Sequence, residues 1–195
     1  MLFRSTLVED LAANLGNNDR LAVYNSLTGE NTEFLSSSAS IMPAVDNALK
    51  DSYGKIKLYD TISSALTKFK TDPELSGHKC LVVLAKGTDT GSSSTFREVY
   101  DAAAELPITV YAIGVTAQDS SRINAFKELG SLGRATESGF SATADQFSTE
   151  VGVSLARQIR ENEKNVYTLT ALFDEMPADL PDAETTLNVT LQKDG

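Results

Sequence analysis

The chain has 195 residues, 41% hydrophobic and 23% charged, with a formal net charge of −10. That suits one α/β domain with a small appendage and a core that needs neither disulfide nor metal. The acidity argues against nucleic acid or an anionic membrane as partner, the single Cys80 excludes an internal disulfide or a multi-cysteine metal site, and no stretch approaches the ~20 apolar residues of a bilayer span.

The opening residues, with acids at Glu9 and Asp10 and no continuous apolar core, do not read as a signal peptide, which leaves open a leader already removed. Ser5–Leu15 reads as a helix capped by Ser5, with Leu7, Leu11 and Leu15 on one face, broken by Gly16 and two asparagines. Arg20–Ser26 reads as an apolar strand, Thr28–Asn31 as a turn and Thr32–Leu35 as the return strand of a hairpin. Ser36–Ser40 is a polar connection before a helix over Ile41–Lys50. A second helix spans Leu58–Phe69, with Leu58, Ile62, Leu66 and Phe69 on one stripe.

Cys80–Ala85 and Ile108–Gly114 are short apolar runs of the kind found in parallel strands covered on both faces. Between them Phe96, Val99, Tyr100, Ala103 and Ala104 fall at helical spacing, capped by Ser93 or Ser94, so the stretch forms a βαβ unit. Ligands of such sheets bind at loops beyond the carboxyl ends of the strands, here Lys86–Thr95. A helix over Ser120–Leu129 ends at Gly130 and Gly133, and Arg134–Phe140 is a candidate edge strand. Ala144–Asn162 is the longest helix, with Phe147, Val151, Leu155 and Ile159 in register. Val166–Phe173 and Thr185–Leu191 alternate as strands, separated by an acidic, proline-containing loop.

In this order the elements resemble the von Willebrand factor A (VWA) domain. Arg20–Ser26 is similar to its second strand, Leu58-Tyr59-Asp60-Thr61-Ile62 to its helix phrase, Leu81–Thr90 to its fourth strand and following loop, and Val110–Val115 to its fifth strand. The resemblance covers residues 1–162 and implies a doubly wound, mostly parallel sheet with helices on both faces. It also makes residues 163–195 a small C-terminal β extension, as follows such domains in many bacterial proteins.

The departures bear on function. The family's metal-ion-dependent adhesion site draws on three loops. The Asp-x-Ser-x-Ser loop belongs to a first strand for which this sequence has no counterpart. The position of the second-loop Thr is Ile56, and that of the third-loop Asp is Lys86. Isoleucine offers Mg²⁺ no hard oxygen, and a lysine ammonium has no lone pair and repels a cation. The resemblance therefore implies no metal and no other cofactor; Lys86 could stand as a fixed charge where the cation would lie.

The family's first strand lies between strands two and four. Its absence would leave a gap of roughly 9–10 Å. The unpaired backbone groups facing it would each cost about 1–3 kcal/mol, against a net stability of about 5–15 kcal/mol. Backbone from somewhere is expected to fill it: a protein partner, a segment upstream of Met1, a closed-up sheet in a rearranged order, or Val166–Phe173, whose reach the preceding long helix constrains. Met1 itself could be an imposed start within a longer protein.

Other chemistry is weaker. His78 and Cys80 share a strand face but sit at the end remote from the ligand loops. Gly87–Ser94 resembles a phosphate cradle without the Lys-Ser/Thr ending of a P-loop. Asp46, Asp51, Asp60 and the acids of 174–184 read as surface charge, and Asn188-Val189-Thr190 matches a glycosylation sequon. The expectation is a non-enzymatic interaction or assembly module, extracellular or in the cell envelope, with no direct membrane insertion, in an oligomer or larger assembly. Candidate binding residues are Ser36, Ser38, Lys57, Lys86, Thr88, Asp89, Thr90 and Ser92. The alternative is a small-molecule or phosphate-binding domain using Gly87–Ser94.

Overall fold

The computed structural model describes residues 2–29, 31–48, 54–85, 89–116, 125–136, 140–145 and 148–164. In chain order the helices and strands are α1 (Leu2–Ala13), α2 (Ser38–Ala48), α3 (Leu58–Thr71), β1 (Lys79–Ala85), α4 (Phe96–Ala104), β2 (Ile108–Thr116), α5 (Ala125–Gly133), β3 (Phe140–Asp145) and α6 (Thr149–Lys164). The strands form a parallel sheet in the order β1-β2-β3, with Leu81 opposite Val110 and Ile113 opposite Ala142.

The period-two alternation of the strands divides the core into two layers. Leu81, Val83 and Ala85 of β1 and Ile108, Val110 and Ala112 of β2 meet Leu58, Ile62 and Leu66 of α3, Val99 and Ala103 of α4, and Leu129 and Leu132 of α5. The intervening residues, Cys80, Val82 and Leu84 with Tyr111, Ile113 and Val115, meet Leu7, Val8 and Leu11 of α1 and Leu155, Ala156 and Ile159 of α6. Helices thus cover both faces, an α/β arrangement. A third cluster joins Ala12 of α1 and Ile41 and Val45 of α2 to Leu21, Val23 and Leu35. Among the described residues no helix is long and apolar enough to cross a membrane.

Several boundaries differ from the sequence expectation, for local reasons. Helix α1 runs from Leu2, so Ser5 lies within it and not before its start. Helix α2 begins at Ser38 because Ser37 supplies the start: its carbonyl accepts from the Ile41 N–H at 3.0 Å and its hydroxyl from the Ser40 N–H at 3.4 Å. Ser38–Ser40 are therefore helical rather than a connection. Helix α4 is capped by Thr95, not by Ser93 or Ser94: Thr95 and Glu98 exchange side-chain-to-backbone bonds in a capping box. Gly130 does not end α5, because burial of Leu132 one half-turn later outweighs a glycine cost of about 1 kcal/mol.

The edge strand is 140–145, not 134–140, and it contains Ala144, so the following helix starts only at Thr149, where the Ser148 hydroxyl accepts from the Val151 N–H at 3.2 Å. Among the described residues, the hairpin of Leu21–Tyr24 with Asn31–Leu35 pairs as isolated bridges at Leu21–Leu35 and Tyr24–Asn31. The Val23 N–H bonds the Thr32 hydroxyl and its carbonyl accepts from the Thr32 N–H, so Glu33 and Phe34 stand opposite Ala22 alone. This is a bulge, and it breaks the ladder. Gly29, at φ 75°, supplies the left-handed turn between the arms. The proposed strands 166–173 and 185–191, the C-terminal extension, Asn188 and Phe147 lie outside the described residues.

Candidate functional site

The loop beyond β1 is fastened to the start of α3. The Asp89 carboxylate accepts from the Tyr59 N–H at 3.3 Å, the Gly91 N–H at 3.2 Å, the Ser92 N–H at 3.0 Å and the Ser92 hydroxyl at 2.6 Å. Asp89 thus serves, from thirty residues away, donors at a helix start that a cap residue normally satisfies. Asp60, in the first turn of α3, returns the arrangement: its carboxylate takes the Ser93 N–H at 3.0 Å and the Ser94 N–H at 2.8 Å. Its own N–H donates to the Ser92 hydroxyl at 3.0 Å. Thr90 completes the clamp, its hydroxyl accepting from the Ile56 N–H at 2.8 Å while the Thr90 and Gly91 N–H groups share the Ile56 carbonyl.

Electrostatics follow the bonds. Backbone donation from Ser94 and Ser93 holds the Asp60 carboxyl below the usual aspartate range. At Asp89 partial burial works upward, but donation from Ser92, Tyr59 and Leu58 prevails and the carboxyl is also lowered. Gly91 packs so closely that a Cβ there would lie 2.6 Å from the Lys55 Cβ. Beside the clamp Tyr59 donates its hydroxyl to Glu128 of α5, and burial followed by that carboxylate pushes its pKa up. Its ring stands 6.0 Å from Phe96, which stands 6.0 Å from Tyr100.

Of the candidate binding residues, the structure brings Asp89, Thr90 and Ser92 together, with their polar atoms turned to internal bonds. Lys57 adjoins them as the residue before α3; its side chain is exposed and its N–H donates to the Ser26 carbonyl at 2.8 Å. Ser36 and Ser38 are exposed and belong to the start of α2. Lys86 and Thr88 lie outside the described residues. Sequence reasoning missed Asp60 as a member and left it as surface charge. The available signal was an Asp in the first turn of one helix and a Ser-rich approach to another, separated by one strand.

At the opposite end of the sheet a second polar group forms. The His78 Nε2 lies 2.8 Å from the Thr109 hydroxyl and 3.2 Å from a Glu163 oxygen of α6, and Tyr111 donates to Glu163 at 2.6 Å. Burial, and then Glu163, pushes the Cys80 thiol up, which leaves it a poor nucleophile. His78 is engaged here, not merely solvated. Among the described residues no group of three or more His, Cys, Asp or Glu side chains is placed to hold a metal ion.

No protein-family model matches the chain, and no curated protein matches it. Solved structures do. The conserved hypothetical protein BatB of Bacteroides thetaiotaomicron is 17% identical, over 83% of this chain and 87% of that one, with a TM-score of 0.60. The pilus adhesin SpaC of Lactobacillus rhamnosus GG, in its open conformation, is 14% identical over 83% of this chain and 27% of the adhesin, with a TM-score of 0.58. Proximal thread matrix protein 1 of the mussel byssus is 14% identical over 83% of this chain and 40% of that one, with a TM-score of 0.54. At these identities the likeness is one of fold.

Proposed function

We propose that this chain is a non-enzymatic protein-interaction module of VWA type, doubly wound, acting in adhesion or assembly at the cell envelope or outside the cell without a bound metal. The observation that carries the reading is the clamp. The Asp89 carboxylate of the loop and the Asp60 carboxylate of α3 beside it are occupied by backbone and serine donors, and Ile56 packs its side chain against the core. That donor set does not fit a divalent cation, which needs free hard oxygens. It leaves a pre-formed polar surface with Lys57 exposed beside it. The fold shared with a pilus adhesin and a byssus matrix protein supports a role in adhesion.

The alternative, a phosphate-binding domain using Gly87–Ser94, gains no support from the loop's described part. The Ser92, Ser93 and Ser94 N–H groups that would cradle an anion already bond Asp89 and Asp60, whose charges oppose one. Retention of the full chain on a panel of immobilised cell-surface and matrix proteins, run in EDTA and in magnesium, tests the reading. Equal retention in both is expected. Retention that requires magnesium overturns the metal-free mechanism. No retention, with a saturable rise in Tm on adding nucleotides or sugar phosphates, transfers the reading to the alternative.

A further inference from the structure

Lys55-Ile56-Lys57 leads into α3 and is held from both sides. The Ile56 N–H donates to the Thr90 hydroxyl at 2.8 Å, and its carbonyl accepts from the Thr90 N–H at 2.9 Å and the Gly91 N–H at 3.0 Å. The Lys57 N–H goes elsewhere, to the Ser26 carbonyl at 2.8 Å. Such alternation is the habit of extended backbone, whose successive side chains also leave on opposite sides. Ile56 packs against the core, and Lys55 and Lys57 are both exposed. The two lysines therefore leave one face of a pinned segment, with their Cα atoms about 7 Å apart.

Two features set this pair apart from scattered surface charge. Gly91 is a seat for Lys55: a Cβ there would lie 2.6 Å from the Lys55 Cβ and 3.3 Å from its Cδ, so the aliphatic stem runs over the glycine. The second feature is that neither ammonium is taken up by the chain itself. Donation from the Ser94 and Ser93 N–H groups is the main cause of the lowered Asp60 carboxyl, and the nearby Lys57 charge adds less. The oxygens of Asp60 and Asp89 are engaged by backbone and serine donors. Among the described residues neither lysine enters an ion pair, whereas Lys68, Arg97 and Arg160 each do.

We propose that Lys55 and Lys57 dock an acidic segment of a protein partner in extended form, with its carboxylates at alternate positions. An extended chain repeats its side chains on one face every two residues, again about 7 Å, so acids at positions i and i+2 meet both lysines at once. Acids at i and i+1 leave on opposite faces, and only one of them meets a lysine. A chain of net charge −10 repels a polyanion such as nucleic acid at long range, which confines attraction to this short, matched spacing. The proposal deepens the interaction-module reading and rests on it for the partner being a protein.

Two labelled peptides of equal composition test it on the full chain by fluorescence anisotropy at low salt. One repeats Thr-Glu four times; the other repeats Glu-Glu-Thr-Thr twice and has no acids two positions apart. The alternating peptide should bind about 5-fold tighter, the scale of one exposed ion pair, and the preference should vanish at about 0.5 M salt. Lys55→Gln and Lys57→Gln should each abolish that preference with Tm unchanged, while Lys70→Gln, at an exposed lysine in the last turn of α3, should leave it intact. Equal affinity for the two peptides, no binding of either, a preference that survives the double variant, or oligothymidylate bound as tightly as the alternating peptide would each overturn the proposal. The panel of immobilised proteins separates it from the reading it rests on. A double variant retained as well as the unaltered chain removes the lysines and leaves the interaction reading standing. Failure of the unaltered chain on the panel, with the peptide preference present, overturns that reading and supports the lysine site.

Discussion

β1 and β2 are neighbours in one sheet and line the same two apolar layers, yet they are buried to different degrees. All of Ile108–Val115 is buried, Thr109 included, while in β1 only Val83 and Ala85 are, although Leu81 and Leu84 are more apolar than threonine. Burial here follows the number of neighbours and not the side chain's own hydrophobicity. β2 has a strand on each side and helices on both faces. β1 packs into both apolar layers as well, but less completely, and it has polar fastenings beyond its ends: His78 to Thr109 and Glu163 at the base, and past its carboxyl end the Asp89–Asp60 clamp on α3. Apolar contact is nearly indifferent to pH, whereas carboxylate hydrogen bonds are not, so the two strands should respond to different insults.

The largest expected effect separates them directly. Ile113→Ala in β2 should cost about 2–5 kcal/mol in denaturant unfolding, and Leu84→Ala in β1 less than half as much; equal losses would break the contrast. Next, Asp89→Ala leaves several donors of the loop and α3 unmatched and should cost about 1–3 kcal/mol. Hydrogen exchange should then quicken in 89–95 and the first turn of α3 while β2 remains protected.

Acid should act in the same place more gently. The Asp60 and Asp89 carboxyls lie below the ordinary aspartate value of 3.8 in the folded chain. The folded state therefore binds fewer protons than the unfolded one between the two values. The stability this contributes is complete above the ordinary value and is lost as pH falls through the depressed ones. Exchange followed from pH 5 downward should loosen the clamp and β1 before β2; simultaneous loss would contradict the division. The smallest effect is Thr95→Ala, about 1 kcal/mol for a lost N-cap, read as fraying of α4 alone.

Much of this layout is readable from residue order. β2 and α4 are plain because a continuous apolar run and a 3.6-residue stripe are local signals, and α3 is found nearly to the residue for the same reason. β3 is displaced by six residues in the sequence reading because Phe140–Asp145 has no run of large apolar side chains; its identity as a strand comes from pairing with β2. The hairpin is recognised but its bulge is not, since nothing in Glu33-Phe34 announces that Thr32 will take the Val23 N–H with its hydroxyl. The clamp joins partners thirty or more positions apart, and spacing rules for helices and turns do not span such distances. The sequence reads Asp89, Thr90 and Ser92 as candidate binding residues; their bonds to one another and to the start of α3 are not legible in it.

The attachment of α1 to α6 carries a consequence for how the molecule is made. Asp10 pairs with Arg160, 150 positions later, and Leu7 is buried against Leu155 and Ile159. At a synthesis rate of about 5–20 residues per second, the apolar face of α1 waits on the order of ten seconds on the ribosome for its seat to be translated. Over that interval Leu7 and its apolar neighbours have no seat, and the nascent chain is at its most prone to aggregate.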